Sequence, residues 1–291
     1  MNSYKKACNF ALPVSVLNKK VYDLFIPMLE EHPNYFVENA KISAIYGCPN
    51  CYWNGGRVTF ICVHIGRMYD FKQFLEKYNI PFRFTFSNNQ LLECHLHDYY
   101  CNKLLEMYSN GKHEIIINSS LLENYIRNKY GNKFKYISST TKVLTNPKKQ
   151  IEEINKDYYL IVLDYRYNTN IPFLKSIEEK DKCEILINAV CDPDCTRREE
   201  HYRSLSMDQL SNGYSKERVT CKNESRNLHD CFNLPTFIKA EQIDNFIDLG
   251  FSNFKIEGRT TSSSNLAETL IYYLVKDEYK DTVREELQKN I

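Results

Sequence analysis

The chain of 291 residues is 43% hydrophobic and 26% charged, a composition that supplies a full core and excludes a largely disordered protein. Its 38 basic and 37 acidic residues leave a net charge of +1, which argues against a large electrostatic footprint for duplex nucleic acid or anionic lipid. No segment has the roughly 18 uninterrupted apolar residues of a membrane span, and polar residues interrupt any signal-peptide core near the N-terminus, so we predict a cytoplasmic protein.

In chain order, the spacing of apolar residues first predicts an amphipathic helix over residues 14–31 and then a short strand over 40–46. Seven further strands are predicted at 82–86, 114–117, 134–137, 159–163, 184–190, 237–238 and 254–256, with helices at 68–78, 94–108, 121–129, 148–156, 171–179, 199–210, 241–249 and 265–287. Eight strands alternating with helices are typical of a (β/α)8 TIM-like barrel. We therefore predict a single barrel domain spanning 1–291, with a Cys-containing insertion loop at 191–236. The rival fold is an open doubly wound sheet, but no Gly-rich phosphate loop follows the first predicted strand.

In such a barrel the residues directly after each strand meet at one face, and this face carries the active sites of TIM-barrel enzymes. The residues predicted to reach it are Cys48, Asn88, Asn118, Ser139, Asp164, Asn188, Cys191, Lys239, Glu257 and Arg259. The chain contains no HExxH sequence, Walker loop or nucleophile elbow, so the common hydrolase and phosphate-binding motifs are absent. Arg57 follows Gly55 and Gly56, which would let the backbone approach a ligand closely.

Cysteine is unusually frequent, with eleven residues in the chain. Four of them, Cys191, Cys195, Cys221 and Cys231, lie in the predicted insertion loop. Thiolates are soft ligands suited to zinc or to an iron–sulfur cluster, and the C-x3-C spacing does not distinguish the two. The alternative is that the thiols are incidental or act as small buried apolar side chains, as we expect for Cys8, Cys62, Cys94, Cys101 and Cys183.

Other candidate residues also have structural interpretations. Glu257 and Arg259 are compatible with an ion pair at the end of the last strand. His201 lies on a predicted helix, where a capping or surface role is common. The neighbouring arginines Arg197, Arg198 and Arg203 are compatible with a solvated helix face or, beside a cluster, with binding of an anionic substrate.

Two segments, INAVCDPDCTRREEHY at 187–202 and FKIEGRT at 254–260, resemble the signature regions of the collagenase-like peptidase family, peptidase U32. IYGCPNCYWNGGR at 45–57 resembles the first-strand loop of that family, and FIKAEQI at 237–243 resembles its seventh strand. The resemblance implies a TIM-like barrel with an oxygen-sensitive [4Fe–4S] cluster held by cysteines. Although the family is named for proteases, several members assist hydroxylation of RNA bases or quinone precursors without molecular oxygen.

The resemblance also implies roles for individual residues. It makes Cys191 and Cys195 cluster ligands and Cys231 the third, with Cys221 or Cys48 as the fourth. A cluster at the barrel mouth implies catalytic roles for Glu257, Arg259, Asp164 and His201, and substrate-binding roles for Arg57, Asn88, Asn118, Asn188 and Lys255.

Three functions follow as hypotheses. The first is a [4Fe–4S]-dependent enzyme that modifies a small molecule, nucleobase or peptide by oxygen-independent hydroxylation or a related redox step. The second is a peptidase. The third is a non-catalytic, cluster-carrying subunit that forms a heterodimer with another barrel protein of the U32 type.

Overall fold

Eight parallel strands close into a barrel in the order β1 to β8, which confirms the predicted (β/α)8 TIM-like fold. The computed structural model describes residues 3–15, 18–49, 51–57, 65–216, 219–221, 223 and 226–289. The strands are β1 Cys8–Pro13, β2 Ala40–Gly47, β3 Phe82–Phe86, β4 Glu114–Ile117, β5 Lys135–Ser138, β6 Leu160–Val162, β7 Cys183–Leu186 and β8 Asn253–Lys255. Within the described residues, no helix is both long and apolar enough to cross a membrane.

The α-helices lie between the strands and after the last strand in the sequence. They are α1 Lys19–Glu31, α2 Ile65–Lys77, α3 Glu93–Leu96, α4 Tyr99–Tyr108, α5 Ser120–Tyr130, α6 Pro147–Ile154, α7 Ile171–Ser176, α8 Arg198–Leu210, α9 Leu228–Cys231, α10 Ile243–Asp248, α11 Ser263–Leu274 and α12 Lys280–Gln288. By their contacts the residues group into two compact units. The first unit comprises Met1–Ser43, Tyr165–Pro193 and Asn223–Ile291, and the second comprises Ala44–Asp164 and Asp194–Lys222.

The predicted number of strands is right, but one predicted strand is wrong and one real strand was missed. The missed strand is β1, which pairs with β8 in the register Asn9↔Asn253. Phe237 and Ile238, predicted as the seventh strand, form none; only the backbone N–H of Ile238 donates to the carbonyl of Ile187, at 2.8 Å. A two-residue run makes too few ladder hydrogen bonds to form a strand. The strand before Cys191 is consequently β7, not the sixth.

Several helix boundaries also differ from the prediction; the helix predicted over 94–108, for example, is divided into α3 and α4. α1 begins at Lys19 rather than at residue 14, because the Asn18 side chain accepts a hydrogen bond from Ser15 N at 2.7 Å and closes a turn ahead of the helix. Val16 and Leu17, assigned to the predicted helix, lie outside the described residues. The predicted last helix is divided into α11 and α12, because Val275 is extended and forms an isolated antiparallel bridge with Phe36.

The side chains of β3 illustrate the two faces of the barrel wall in the second unit. Phe82 and Phe84 pack against the ring of Tyr108 on α4, with Phe84 meeting it edge to face at 5.0 Å. Arg83 points the other way, towards the barrel interior, because successive side chains of a strand face opposite sides. Its Nε donates to Glu114 Oε2 at 2.6 Å, and both side chains are buried. Removal of either partner would leave an uncompensated charge inside the barrel.

His113, just before β4, is buried in the same unit. Its Nδ1 accepts a hydrogen bond from Phe82 N at 2.9 Å, and its Nε2 has no hydrogen-bond partner within the part of the chain that the structure describes. Burial lowers the pKa of His113 from 6.5 to about 4. The folded protein therefore keeps this imidazole neutral at pH values where the unfolded chain protonates it.

We expect His113 to make folding stability depend on pH. Because its pKa is lower in the folded state, the stabilisation is complete above about pH 6.5 and is lost as the pH falls towards about 4. The loss between about pH 7 and about pH 5 should be about 2 kcal/mol. Urea unfolding at both pH values tests this, with His113→Asn as the control because the Asn Oδ1 retains an acceptor for Phe82 N. An equal loss in both proteins would contradict the prediction.

Candidate functional site

In the first unit, the ends of β7 and β8 are joined by the side chain of Asn188. Its Nδ2 donates to the Glu257 carbonyl at 2.9 Å, and its Oδ1 accepts from the Glu257 N–H at 2.6 Å. The amide thus continues the hydrogen bonding of the two neighbouring strands past their last residues. The structure therefore brings together Asn188 and Glu257, which the sequence predicts at the barrel mouth. Both side chains form hydrogen bonds with backbone groups.

The backbone on either side of Cys191 is held by side chains from other segments of the same unit. Glu257 Oε2 accepts from Val190 N at 3.2 Å, and Arg226 Nη1 donates to both Val190 O and Asp192 Oδ1 at 2.8 Å. Asp192 Oδ2 also accepts from the amide of Asn223 at 2.7 Å. Cys191 is thereby held in one position, with its thiol free of any disulfide and only 2% of its surface exposed.

Cys231, the other predicted ligand in the first unit, ends the short helix α9 and is equally buried. The Asn227 side chain caps this helix by accepting from Asp230 N at 3.1 Å. Leu228 N donates to the side chain of Asn265 on α11 at 2.9 Å. These contacts fix the end of the predicted insertion loop through neighbouring elements of its own unit.

Lys255 was predicted to bind substrate, but the structure gives its ammonium group a buried partner. Its Nζ lies 3.7 Å from Oε2 of Glu184 on β7, and both side chains are almost completely buried. Lys255 therefore contributes to the wall between β7 and β8. Lys239, predicted to follow a strand, is exposed at the start of a short 3-10 helix.

In the second unit, Asp164 follows β6 and forms a buried ion pair with Arg198, the first residue of α8. Arg198 Nη1 lies 2.5 Å from Asp164 Oδ2, and the two side chains are 2% and 1% exposed. Arg198 Nη2 also donates to the carbonyl and hydroxyl oxygens of Thr140 at 3.1 Å. The prediction of a solvated face is thus wrong for Arg198. The same prediction agrees with the position of Arg197, whose side chain is 61% exposed.

Helix α8 turns an unusually polar surface inwards. The buried polar side chains on it are Arg198, His201, Ser204, Ser206, Asp208 and Gln209. His201 is therefore not a surface residue. Asn88, a predicted substrate ligand, donates to the carbonyls of Tyr52 at 2.9 Å and Ser206 at 3.1 Å and is fully buried, so the structure gives its side-chain amide an architectural role.

The loop after β2 packs tightly on the end of β3. Gly55 N donates to Thr85 O at 3.1 Å, and a β-carbon at Gly55 would come within 2.2 Å of the Ser87 backbone. This close approach requires glycine. The sequence predicts that the backbone at Gly55 and Gly56 could approach a ligand closely; in the structure, Gly55 approaches the backbone of Ser87. Arg57, at the end of this loop, is half-buried.

The same loop carries a group of thiols. The sulfur atoms of Cys48 and Cys51 lie 3.4 Å apart. Burial raises the pKa of the Cys51 thiol, but hydrogen bonds that it shares with Cys101 and Cys48 act in the opposite sense and bring its pKa below the ordinary value. Burial and the contact with Cys51 raise the pKa of Cys101. Cys62, which was expected to be an incidental thiol, lies outside the described residues.

Of the remaining predicted residues, Asn118 and Arg259 occupy more accessible positions. Asn118 is half-buried and donates to Thr141 Oγ1 at 2.8 Å. It borders a cleft of about 580 Å³ between α5 and α6, whose charged lining residues are Glu123, Arg127, Lys142, Glu153, Lys156 and Asp157. Arg259 is half-buried, whereas Ser139 is buried.

None of the four predicted cluster ligands forms a disulfide; two of them are buried and two, Cys195 and Cys221, are partly exposed. Their donor chemistry fits a thiolate-ligated iron or zinc centre. Among the described residues, however, no three His, Cys, Asp or Glu side chains form a group with the geometry of a metal site. Metal binding would thus have to order the ligands, as is common for sites that form together with their metal.

Sequence reasoning missed Asp192, Asn223 and Arg226, which hold the Cys191 loop in the first unit, and in the second unit it named Arg198 without its contacts to Asp164 and Thr140. No motif marks them, because each acts through a partner far away in the chain. A weak signal existed for Asp192 and Arg198, which lie within the segment that resembles a family signature.

No protein-family model matches the sequence, and no curated protein matches it. Among solved structures, the fold is similar to one described as the structure of the U32 peptidase Mk0906, with a TM-score of 0.54 and 11% sequence identity. The matched region covers 89% of this chain and 96% of that chain. At this level of identity, the similarity shows a shared barrel fold.

We expect Arg198→Met to destabilise the protein by about 3–5 kcal/mol, because it leaves the Asp164 carboxylate buried without its partner. The matched control is Arg197→Met, the exposed neighbour, which should change stability by no more than about 0.5 kcal/mol. Chemical denaturation of both variants measures the difference. Equal stability of the two variants would show that the ion pair does not contribute as described.

Proposed function

We propose that the chain is a U32-type barrel protein that binds a [4Fe–4S] cluster through Cys191, Cys195, Cys231 and Cys221. Its proposed activity is an oxygen-independent hydroxylation or related redox modification of a small molecule, nucleobase or peptide. The barrel fold, its similarity to a solved U32 peptidase and the resemblance of 187–202 and 254–260 to family signatures support this assignment.

The observation that carries the proposal is the construction of the Cys191 loop at the carboxyl end of β7. Val190 N donates to Glu257 Oε2, Arg226 Nη1 donates to Val190 O, and the Tyr165 hydroxyl donates to Asp192 O. These three hydrogen bonds fix the backbone on both sides of Cys191, and none of them involves its thiol. Such fixed backbone around a free thiol is what a metal ligand requires, because supporting contacts orient the donor atom.

The chemistry of the remaining residues is consistent with this function. A bound cluster would supply electron transfer or a Lewis-acidic iron. Glu257 positions the ligand loop through its carboxylate, and the half-buried guanidinium group of Arg259 in the same unit is a candidate for binding an anionic substrate. Nη1 of Arg57, the other predicted substrate-binding arginine, is buried. Asp164 serves as the counter-ion of Arg198, so we propose a positioning role for it in place of direct catalysis.

We further propose a cytoplasmic location. None of the ten cysteines in the described residues forms a disulfide, which favours a reducing compartment. A second U32-type barrel protein remains a candidate partner, since the proposed cluster could serve a heterodimer as well as a single enzyme.

Anaerobic purification tests the proposal. We expect a coloured protein with about four irons and four sulfides per chain, whose visible absorption is bleached by dithionite. Single Ala variants of Cys191, Cys195, Cys221 and Cys231 should lose most of the iron. The control is Cys183→Ala, since Cys183 lies at the opposite end of β7 and its buried thiol donates to Glu179 O. A colourless wild-type protein without iron would contradict the assignment.

Peptidase activity is the second candidate, because the similar solved structure is described as a peptidase. Incubation with a panel of peptides distinguishes the two functions. Cleavage that persists in iron-free protein and disappears in Cys191→Ala would favour the peptidase. Absence of cleavage, together with the iron content expected above, would favour the redox enzyme.

A further inference from the structure

The loop after β2 contains a pair of cysteines that the proposed cluster does not use. Cys48 follows Gly47, the last residue of β2, and Cys51 follows three positions later in a C-x-x-C sequence. Their sulfur atoms are 3.4 Å apart, and both are thiols. A disulfide requires a separation of about 2.05 Å, so the two sulfurs need to approach by only a little more than about 1 Å.

Both ends of this C-x-x-C segment are anchored within the second unit. Before it, Gly47 is paired in register with Phe84 of β3. After it, Asn54 N donates to the carbonyl of Cys51 at 3.1 Å. The Trp53 indole is completely buried and donates to His95 O at 2.8 Å. The separation of the two sulfurs is therefore determined by the surrounding structure.

The two thiols differ in accessibility in the way that thiol–disulfide exchange requires. Cys48 is half-exposed and can meet a reagent from solvent. Cys51 is 5% exposed, so it reacts most readily with its neighbour. A third thiol, that of Cys101, is hydrogen-bonded to Cys51 from the buried first turn of α4. Its backbone N–H donates to Asp98 Oδ1 at 2.6 Å, which anchors this residue.

A soft metal ion is the other ligand that such thiols can take. Two sulfurs at hydrogen-bonding distance, one accessible and one buried, suit exchange chemistry better than ligation.

We propose that Cys48 and Cys51 form a reversible dithiol–disulfide site that exchanges with low-molecular-weight disulfides such as oxidised glutathione. In the first step, the Cys48 thiolate attacks the disulfide, forms a mixed disulfide and releases one thiolate. In the second step, Cys51 attacks the Cys48 sulfur, closes the intramolecular disulfide and releases the second thiolate. The two protein thiols lose two electrons and two protons, and one small disulfide becomes two thiols.

Peptide mass spectrometry on the full-length protein tests this proposal, and its result does not depend on whether the protein binds a cluster. The reduced protein is equilibrated with mixtures of reduced and oxidised glutathione, quenched in acid, alkylated and digested with trypsin. Cleavage after Lys41 and Arg57 gives peptide 42–57, which contains Cys48 and Cys51 and no other cysteine. Peptide 84–103 contains Cys94 and Cys101.

We expect peptide 42–57 to lose both alkylation sites and the mass of two hydrogen atoms as oxidised glutathione increases, and to recover when a dithiol reductant is added. Cys51→Ser should instead accumulate a glutathione adduct on Cys48, because the second step is removed. Cys101→Ser should still form the disulfide, as should the control Cys183→Ser. Circular dichroism confirms that each variant is folded.

Three outcomes would overturn the proposal. They are full alkylation of peptide 42–57 in every mixture, stable glutathione adducts on both cysteines of the wild type, and a disulfide that links peptide 42–57 to peptide 84–103. The iron content of Cys48→Ser separates this result from the cluster assignment. It should equal that of the wild type, because Cys48 belongs to the dithiol site, and a loss of iron would contradict the proposal.

Discussion

Closure of the barrel is the constraint on which the rest of the structure depends. The strand β1 pairs in parallel with β8, with Phe10 opposite Phe254 and Ala11 opposite Lys255. Without this pairing both strands would have an open edge with unsatisfied backbone groups. Closure also determines where chemistry can occur, since the residues after parallel strands all emerge at the same end of a barrel.

At that end of the barrel, the polar side chains described above form hydrogen bonds with backbone groups and with other side chains. The Asn188 amide extends the pairing of β7 and β8, and the Glu257 carboxylate holds Val190. In the second unit, Asn88 and the Asp164–Arg198 ion pair tie helix α8 to neighbouring loops. The thiols are the exception, because Cys191 is held by its neighbours without using its sulfur. The fixed backbone around Cys191 supports the cluster proposal, and the 3.4 Å separation of the Cys48 and Cys51 sulfurs supports the dithiol proposal.

Much of the fold was predictable from the sequence, because alternating apolar runs report local geometry well. The strands β2 to β8 were found with small shifts in their ends, except that β7 ends at Leu186 and not at residue 190. The strand β1 was missed because Asn9 and Pro13 interrupt its short apolar run, so that no clear alternation marks it. Phe237 and Ile238 were mistaken for a strand because two apolar residues satisfy a pattern but make only one of the required backbone hydrogen bonds. The candidate site was predicted less well, since which residue pairs with which depends on contacts distant in sequence.

The sequence by itself determined the class of fold, the positions after the strands and the cysteine spacing, because these depend on periodicity and local order along the chain. Only the tertiary structure decided that Arg198 is buried against Asp164, that Lys255 faces Glu184 and that the C-x-x-C sulfurs lie 3.4 Å apart. The partners of each pair come from different strands, helices or loop positions. Their distance and burial follow from the packing of the closed chain, which no local pattern encodes.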